Sequence, residues 1–226
     1  MKLDERMKRY ENAYRFHLTP RTPLIIRVDG KAFHTYTKQF QPFSDVFSKA
    51  MEEVAKNLLN NVEGAKLVFT QSDEISLLLT DYNTFKTQSW FDNNLQKIVS
   101  VSASMATYYF NKFMESVSEK PAFFDSRVFN IPIEEINNYF VWRQKDCMRN
   151  SIQMLGRMHF SQKELHEKNT TKIKEMLIEK KNIIWEKDLP EKFRSGIIFL
   201  RDEEKSKTFL FSENANIVEE LLKREE

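Results

Sequence analysis

A single cysteine, Cys147, is all the thiol the chain has in 226 residues. One thiol closes no internal disulfide and builds no cysteine cage for zinc, so nothing calls for an oxidising compartment. Glycine, at four residues, and proline, at six, are both scarce. No Pro- or Gly-rich linker, repeat or low-complexity stretch separates one part of the chain from another. No apolar run approaches the ~20 residues of a membrane span. The start, Met1-Lys2-Leu3-Asp4-Glu5-Arg6, lacks the apolar core of a signal peptide. The expectation is a cytoplasmic protein. Charge of one sign is also lacking: the net charge is only +2, so bulk composition does not single out a nucleic-acid binder.

What is present is an ordinary globular balance, 41% hydrophobic and 30% charged, with length for one domain plus an elaboration or for two small domains sharing an interface. Charge is unevenly spread. Between Trp142 and Lys187 eleven Lys and Arg face six Asp and Glu. That local excess suits a phosphate-contacting surface and equally a solvated helix face.

Leu24-Ile25-Ile26-Arg27-Val28, introduced by Pro23 and closed by Asp29-Gly30, reads as a buried strand. Ser44 is placed to cap a helix whose apolar stripe is Phe47, Met51, Val54 and Leu58. Lys66 to Thr70 and Glu74 to Thr80 read as a hairpin around Gln71-Ser72-Asp73. A long helix from about Asp92 to Met114 follows, with enough small residues to sit close on a sheet. Phe123 to Ile131 is the fourth strand, ended by Pro132. The order β-α-β-β-α-β is the split βαβ pattern. The expected fold is therefore α+β: a ferredoxin-like, antiparallel four-stranded sheet with both helices on one face, over residues 1–132. Residues 133–226 read as a mainly helical C-terminal region packed on it. That region has a helix from about Glu134 to Phe160, a capping box at Ser161-Gln162-Lys163-Glu164 and a helix near Thr171 to Glu179. Ile197 to Leu200 and Thr208 to Phe211 suggest a late hairpin.

In such a sheet the first strand lies beside the third. Asp29-Gly30 and Asp73-Glu74, 44 residues apart in sequence, then meet at one edge. Carboxylates so placed repel each other unless a cation neutralises them. Magnesium suits the site, since it takes oxygen ligands and is commonly held by one or two carboxylates plus substrate phosphates. Gly30 lets the backbone approach a metal or a triphosphate. The following Lys31-Ala32-Phe33-His34 offers amides, a cation and an aromatic at nucleotide-contact distance. Taken alone, the same dipeptides also fit a turn and a hairpin cap.

Five motifs occur in an order that decides between these readings: Arg27-Val28-Asp29-Gly30-Lys31-Ala32-Phe33-His34, Gln71-Ser72-Asp73-Glu74-Ile75-Ser76, Ser100-Val101-Ser102-Ala103-Ser104, Phe124-Asp125-Ser126-Arg127-Val128 and Trp142-Arg143-Gln144-Lys145-Asp146-Cys147. With them the chain resembles the tRNAHis guanylyltransferase superfamily, the 3′–5′ polymerases, over roughly residues 5 to 190. Within it, the chain is most similar to the bacterial and archaeal guanylyltransferase-like branch. The resemblance implies a polymerase-type palm and an enzyme, a nucleotidyltransferase of tRNA processing and repair. It implies two Mg2+ ions on Asp29, Asp73 and the Gly30 carbonyl, with Glu74 a further catalytic acid. A nucleoside triphosphate would be held by Asp29, Gly30, Lys31, Ala32, Phe33, His34, Ser72 and Asp73. Phosphates of RNA or of a second nucleotide would meet Arg27, Lys97 and Arg127.

In that family ATP activates a 5′-monophosphorylated tRNA to a 5′-adenylylated end, and the 3′-hydroxyl of GTP or another nucleotide displaces AMP. The implied partners are thus tRNA, ATP and nucleoside triphosphates, no membrane, and three further copies of the chain in a homotetramer. On the long C-terminal helix Arg143, Asp146, Asn150, Gln153 and Arg157 share a face. The resemblance sets Arg143, Asp146 and Asn150 of that face against RNA. His159, His166, Met148, Met154, Met158 and Cys147 read as surface or packing residues, and Trp142 as a packed anchor.

Two departures bear on specificity. The eukaryotic enzymes carry His-Ile-Asn-Asn after the Asp-Cys pair, where this chain has Met148-Arg149-Asn150-Ser151. Gln41 stands before Pro42 in place of their lysine, with Lys38 nearby. The expected activity is therefore template-dependent 3′–5′ addition that repairs 5′-truncated tRNAs. The tRNAHis-specific guanylyltransferase is the alternative, and a palm-type nucleotide cyclase or a silent tRNA-binding module follow behind. A cyclase would need a Gly-Gly-Asp/Glu-Glu-Phe-like turn, whereas this hairpin reads Gln71-Ser72-Asp73-Glu74-Ile75. A silent module has no reason to keep repelling acids.

Overall fold

Alternation builds the centre of the molecule. In the first strand Leu24, Ile26 and Val28 enter one apolar cluster, while Ile25 enters another on the opposite face. A computed structural model describes residues 1–224. In chain order its elements are α1 (Leu3–Asn12), β1 (Leu24–Gly30), α2 (Phe33–Tyr36), α3 (Asp45–Asn61), β2 (Ala65–Gln71), β3 (Glu74–Leu79), α4 (Leu95–Met114), β4 (Phe124–Asn130), α5 (Ile136–His159), α6 (Gln162–Leu165), α7 (Thr170–Lys181), α8 (Trp185–Asp188), α9 (Glu191–Ser195), β5 (Ile197–Leu200) and α10 (Ala215–Leu221). The sheet runs β4-β1-β3-β2-β5, and every neighbouring pair is antiparallel. The expected βαββαβ order is thus observed, with β1 beside β3.

Helices α3 and α4 share one face of the sheet. The Ser44 hydroxyl accepts from Phe47 N–H at 3.3 Å to cap α3, a contact of about 1 kcal/mol. Asn94 caps α4 in the same way through Lys97 N–H. Small residues let α4 approach closely, so that Ser102 Oγ lies 2.7 Å from Ser126 Oγ of β4. The opposite face is covered by α5, whose Ile136, Tyr139, Phe140 and Cys147 pack on Ile25, Leu67, Phe69 and Leu78. The later half of α5 belongs to a third cluster, where Ile152, Leu155 and Phe160 meet α7 and Trp185.

Three expectations are corrected. Helix α4 starts at Leu95, because Phe91, Asp92 and Asn93 stand at φ 51, 52 and 53° in the left-handed region. Ile197–Leu200 forms no hairpin with 208–211; it adds a fifth strand against β2, with all four side chains buried. Only an isolated bridge joins Ile198 to Lys207, and Phe211 instead stacks on Phe140 at 4.9 Å. Trp142 is no packed anchor: it is 54% exposed, with the Arg143 guanidinium 4.5 Å from its ring. Helix α1 was not foreseen, and none of its residues is buried. Among the described residues no helix is long and apolar enough to cross a membrane.

Candidate active site

Asp29 is the penultimate residue of β1, and the register puts Asp125 of β4 on one side of it and Glu74 of β3 on the other. Three carboxylates therefore lie in a row across the α5 face of the sheet. A fourth, Asp73, sits in the two-residue turn that joins Gln71 to Glu74. Ser72, the first turn residue, is held at φ 48°, a costly region for a non-glycine. The Gly30 N–H donates to the Asp73 carbonyl at 3.1 Å, so the end of β1 is tied to that turn. The two acidic motifs meet as the strand order requires.

Burial pushes the Asp73 carboxyl up to about 6, and the negative charges of Asp29 and Glu74 push in the same direction. A hydrogen bond from Ser72 Oγ at 3.1 Å offsets part of this. Arg127 is the nearby cation, 3.2 Å from Asp125 Oδ1 and 3.8 Å from Asp29 Oδ2. Half exposed, it neutralises them only weakly. An under-compensated pair of carboxylates fits a hard divalent cation. Among the described residues no three His, Cys, Asp or Glu side chains gather as a metal cluster. A magnesium ion here would thus need backbone, water or phosphate oxygens besides Asp29 and Asp73, which is its usual manner of binding.

Glu74 requires a correction. Its carboxylate is buried and accepts from Arg143 Nε at 2.7 Å and Nη2 at 2.6 Å. Neither is presented to substrate as expected: Glu74 is not a free acid, and Arg143 is not a free phosphate contact. Asp146 likewise is engaged by Arg143 Nη2 at 3.0 Å and by Arg149. The sequence spacing read as one RNA-facing stripe is split, because Arg143 turns inward to the buried acid.

The segment 29–34 also divides. A Cβ on Gly30 would come within 2.3 Å of the Phe33 ring, so glycine is needed for packing here. Phe33 is 2% exposed and stacks among Tyr36, Phe47, Phe110 and Phe124. Its ring is core, which corrects the expectation of an aromatic offered to a nucleotide; only its backbone remains for that role. Lys31, Ala32 and His34 are exposed, Ala32 at φ 57°, and the Lys31 N–H donates to the Phe123 carbonyl at 2.8 Å.

Arg27 and Arg127 are register partners on the α5 face, one step behind Asp29 and Asp125. The Arg27 Nε is buried without a hydrogen-bond partner. Two guanidiniums side by side repel unless an anion joins them. Lys97 is not brought to this place. Thr107 of α4 accepts from Phe124 N–H beside Gly30, and Lys97 precedes it by ten residues, about 15 Å of helix. It is exposed on the other face, its ammonium 5.9 Å from the Phe91 ring.

The sequence did not reveal the cavity next to the turn. It measures about 330 Å³ and lies between the segment 37–51 and α5. Phe40, Phe43, Phe47 and Met51 supply apolar wall, and Lys38, Gln71, Ser72, Asn150, Ser151 and Lys192 supply polar groups. Asn150, expected to face RNA, lines this cavity instead. The signal available was the cluster of phenylalanines around Pro42. Cys147 touches it too, but burial pushes its thiol up to about 12, so it is a packing residue.

Residues 4–132 match the family described as tRNAHis guanylyltransferase. An uncharacterized protein of Acanthamoeba polyphaga mimivirus is 28% identical over 223 residues, 87% of this chain and 76% of that one. The tRNA(His) guanylyltransferase of Debaryomyces hansenii is 35% identical over 146 residues, 60% of this chain and 53% of the yeast protein, so the chain spans about half of that relative. A solved bacterial tRNA(His) guanylyltransferase-like protein in complex with ATP superposes with a TM-score of 0.93 at 45% identity, covering 98% of this chain and 99% of that one. Another in complex with GTP superposes at 0.84 and 42% identity, covering 97% and 98%. With its matching fold and its two acidic motifs brought together at one sheet edge, the chain belongs to the tRNAHis guanylyltransferase family.

Proposed function

We propose that this protein is a nucleotidyltransferase that adds nucleotides in the 3′–5′ direction to the 5′ end of tRNA, choosing each by pairing with the opposite strand. The observation that carries the reading is the Asp29–Asp73 pair beside a cavity of about 330 Å³ with an apolar wall and polar groups at its rim. Such a cavity suits a nucleotide base, while the turn carrying Ser72 and Asp73 suits its phosphates. The ATP- and GTP-complexed relatives at 45% and 42% identity support nucleoside triphosphates as substrates.

In this reading the 5′-phosphate of tRNA attacks the α-phosphate of ATP and pyrophosphate leaves, giving a 5′-adenylylated end. The 3′-hydroxyl of the incoming nucleotide then attacks the tRNA 5′-phosphate and AMP leaves. Two magnesium ions held by Asp29, Asp73 and the Gly30 carbonyl would activate the attacking hydroxyl and neutralise the leaving phosphate. Residues 29 to 34 and Ser72 hold the triphosphate, largely through backbone. Arg27 and Arg127 hold phosphates of the RNA end or second nucleotide by charge-assisted bonds. We place the protein in the cytoplasm and assemble it as a homotetramer, for which the exposed Leu3, Met7 and Tyr10 of α1 offer apolar contact surface.

Repair of truncated tRNAs is favoured over tRNAHis-specific addition by residues 148–151. Met148 packs on the third apolar cluster, and the buried Ser151 accepts from Trp185 Nε1 at 3.1 Å. Met148 is turned inward, and the Ser151 hydroxyl is engaged within the chain, so neither offers a free hydrogen-bonding group to an anticodon base. The test is a 5′-labelled, 5′-monophosphorylated tRNA lacking its first nucleotide, incubated with ATP, the four nucleotides and magnesium. Extension by the templated nucleotide, with an adenylylated intermediate, is expected. A substrate left unextended and unadenylylated would sink the reading.

A further inference from the structure

Glu74 and Arg143 lie 69 residues apart in sequence, and the Arg143 guanidinium spends Nε and Nη2 on the Glu74 carboxylate, Nη2 also reaching Asp146 at 3.0 Å. Both side chains are about nine-tenths covered, at 11% and 8% exposed. The guanidinium meets both carboxylate oxygens at 2.7 and 2.6 Å, a bidentate contact that fixes the plane of each group. Glu74 directly follows Asp73, so the pair anchors the residue next to the carboxylate that the chemistry needs. Beyond Arg143 the same helix presents Asn150 and Ser151 to the cavity, while the turn presents Gln71 and Ser72 to it. The ion pair thus joins two walls of one cavity. Tyr139 of α5, within 2.8 Å of the Ser76 hydroxyl, makes a second joint between the same two elements.

We propose that Arg143 is a positioning residue, which through its buried bidentate pair with Glu74 fixes where Asp73 stands relative to the cavity. It thereby sets cation affinity and the rate of nucleotide transfer while touching neither. This rests on the proposed function, and it gives Glu74 and Arg143 roles other than those that family resemblance assigns them. Breaking one side of a buried pair leaves an uncompensated charge and endangers folding. Replacing both partners by apolar residues of similar size is often tolerated. Stability and positioning can therefore be separated.

The experiment compares wild type, Arg143→Lys and the double variant Glu74→Leu/Arg143→Met. Three quantities are read: thermal midpoint, binding of manganese alone by electron paramagnetic resonance, and kcat with KM for tRNA and ATP. Lysine keeps the charge but lacks the fork. Arg143→Lys is expected to weaken manganese binding and lower kcat by about 10–100-fold, the usual cost of losing support behind a metal ligand, with KM for tRNA unchanged. The double variant is expected to regain the wild-type thermal midpoint without regaining manganese affinity or kcat. Recovery of activity along with stability would make the pair merely structural and overturn the proposal. So would a raised KM for tRNA at unchanged kcat and manganese affinity, which would return Arg143 to RNA contact. Should the wild type extend no tRNA, the proposed function falls, while the manganese titrations still decide whether Arg143 positions Asp73.

Discussion

The Gly30 N–H donates to the carbonyl of Asp73 at 3.1 Å, so a backbone hydrogen bond holds the two acidic motifs together against the repulsion of their carboxylates. Side-chain changes at Asp29 or Asp73 leave that bond in place. Asp29→Ala and Asp73→Ala are therefore expected to fold and to bind tRNA, yet to lose nucleotide addition by at least ~10³-fold. Steady-state rates in saturating magnesium, with circular dichroism as the control, check this. Near-full activity in either variant would remove the pair from the chemistry.

Asp73 also ties stability to pH. Its folded-state carboxyl titrates near 6, above the ordinary 3.8, so between those values the folded chain binds more proton than the unfolded one. The contribution is full below about pH 4 and is lost as pH rises through 6. Two units correspond to roughly 3 kcal/mol at most, and partial solvent access reduces this. Without divalent cation, Asp73→Asn is expected to be more stable than wild type at pH 7.5, by about 1–3 kcal/mol, and equal to it at pH 4. Magnesium should raise the wild-type thermal midpoint at pH 7.5 and not at pH 4. Identical melting curves for the two proteins across this range would contradict the burial that causes the shift.

Phe33 and its neighbours separate packing from binding. Phe33→Ala is expected to cost about 3–5 kcal/mol in denaturant unfolding, as for a buried aromatic. Lys31→Ala and His34→Ala, both exposed, should leave stability within about 0.5 kcal/mol and raise the KM for a nucleoside triphosphate. A Phe33→Ala protein of wild-type stability would mean that the ring is not core.

The sheet was legible because its strands alternate between two buried faces. Each of Leu24–Gly30, Ala65–Gln71, Glu74–Leu79 and Phe124–Asn130 shows period-two order or a continuous apolar run. Convergence of Asp29 and Asp73 followed from strand order alone. What stayed hidden depends on contacts that no local pattern carries. Glu74 is paired to a residue 69 positions away, and nothing in Asp73-Glu74 distinguishes the acid in the turn from the acid on the strand. Register does: Glu74 is the first paired residue, facing α5. The cavity draws on four distant segments. Strand β5 has four residues, too short for periodicity to tell a new hairpin from an added edge.

Arg127 and Lys97 now part company. Arg127 lies 3.8 Å from Asp29 and beside Arg27, so Arg127→Ala is expected to weaken use of the RNA end or of ATP by about 10–100-fold, the worth of one charge-assisted phosphate contact at roughly 1.5–3 kcal/mol. Lys97→Ala, remote along α4, should leave kcat and the KM for ATP unchanged. Apparent affinities for both substrates check this, and a Lys97→Ala defect in ATP use would put that lysine back at the site.

Specificity gives the last prediction. An enzyme that reads the tRNAHis anticodon must present hydrogen-bonding groups to base edges. Met148 has no such group and is half-buried in the third apolar cluster. Ser151 spends its hydroxyl on the Met148 carbonyl and on Trp185. Arg149, exposed and paired with Asp146, offers charge, which binds phosphate without reading sequence. Selection must then come mainly from Watson–Crick pairing at the growing 5′ end. Addition rates on 5′-truncated tRNAs with different anticodons are expected to agree within about threefold, under 1 kcal/mol of discrimination. Changing the templating base opposite the gap should change the nucleotide incorporated to its complement. A preference of a hundredfold or more for the tRNAHis anticodon would overturn this expectation, as would incorporation of guanosine whatever the opposite base.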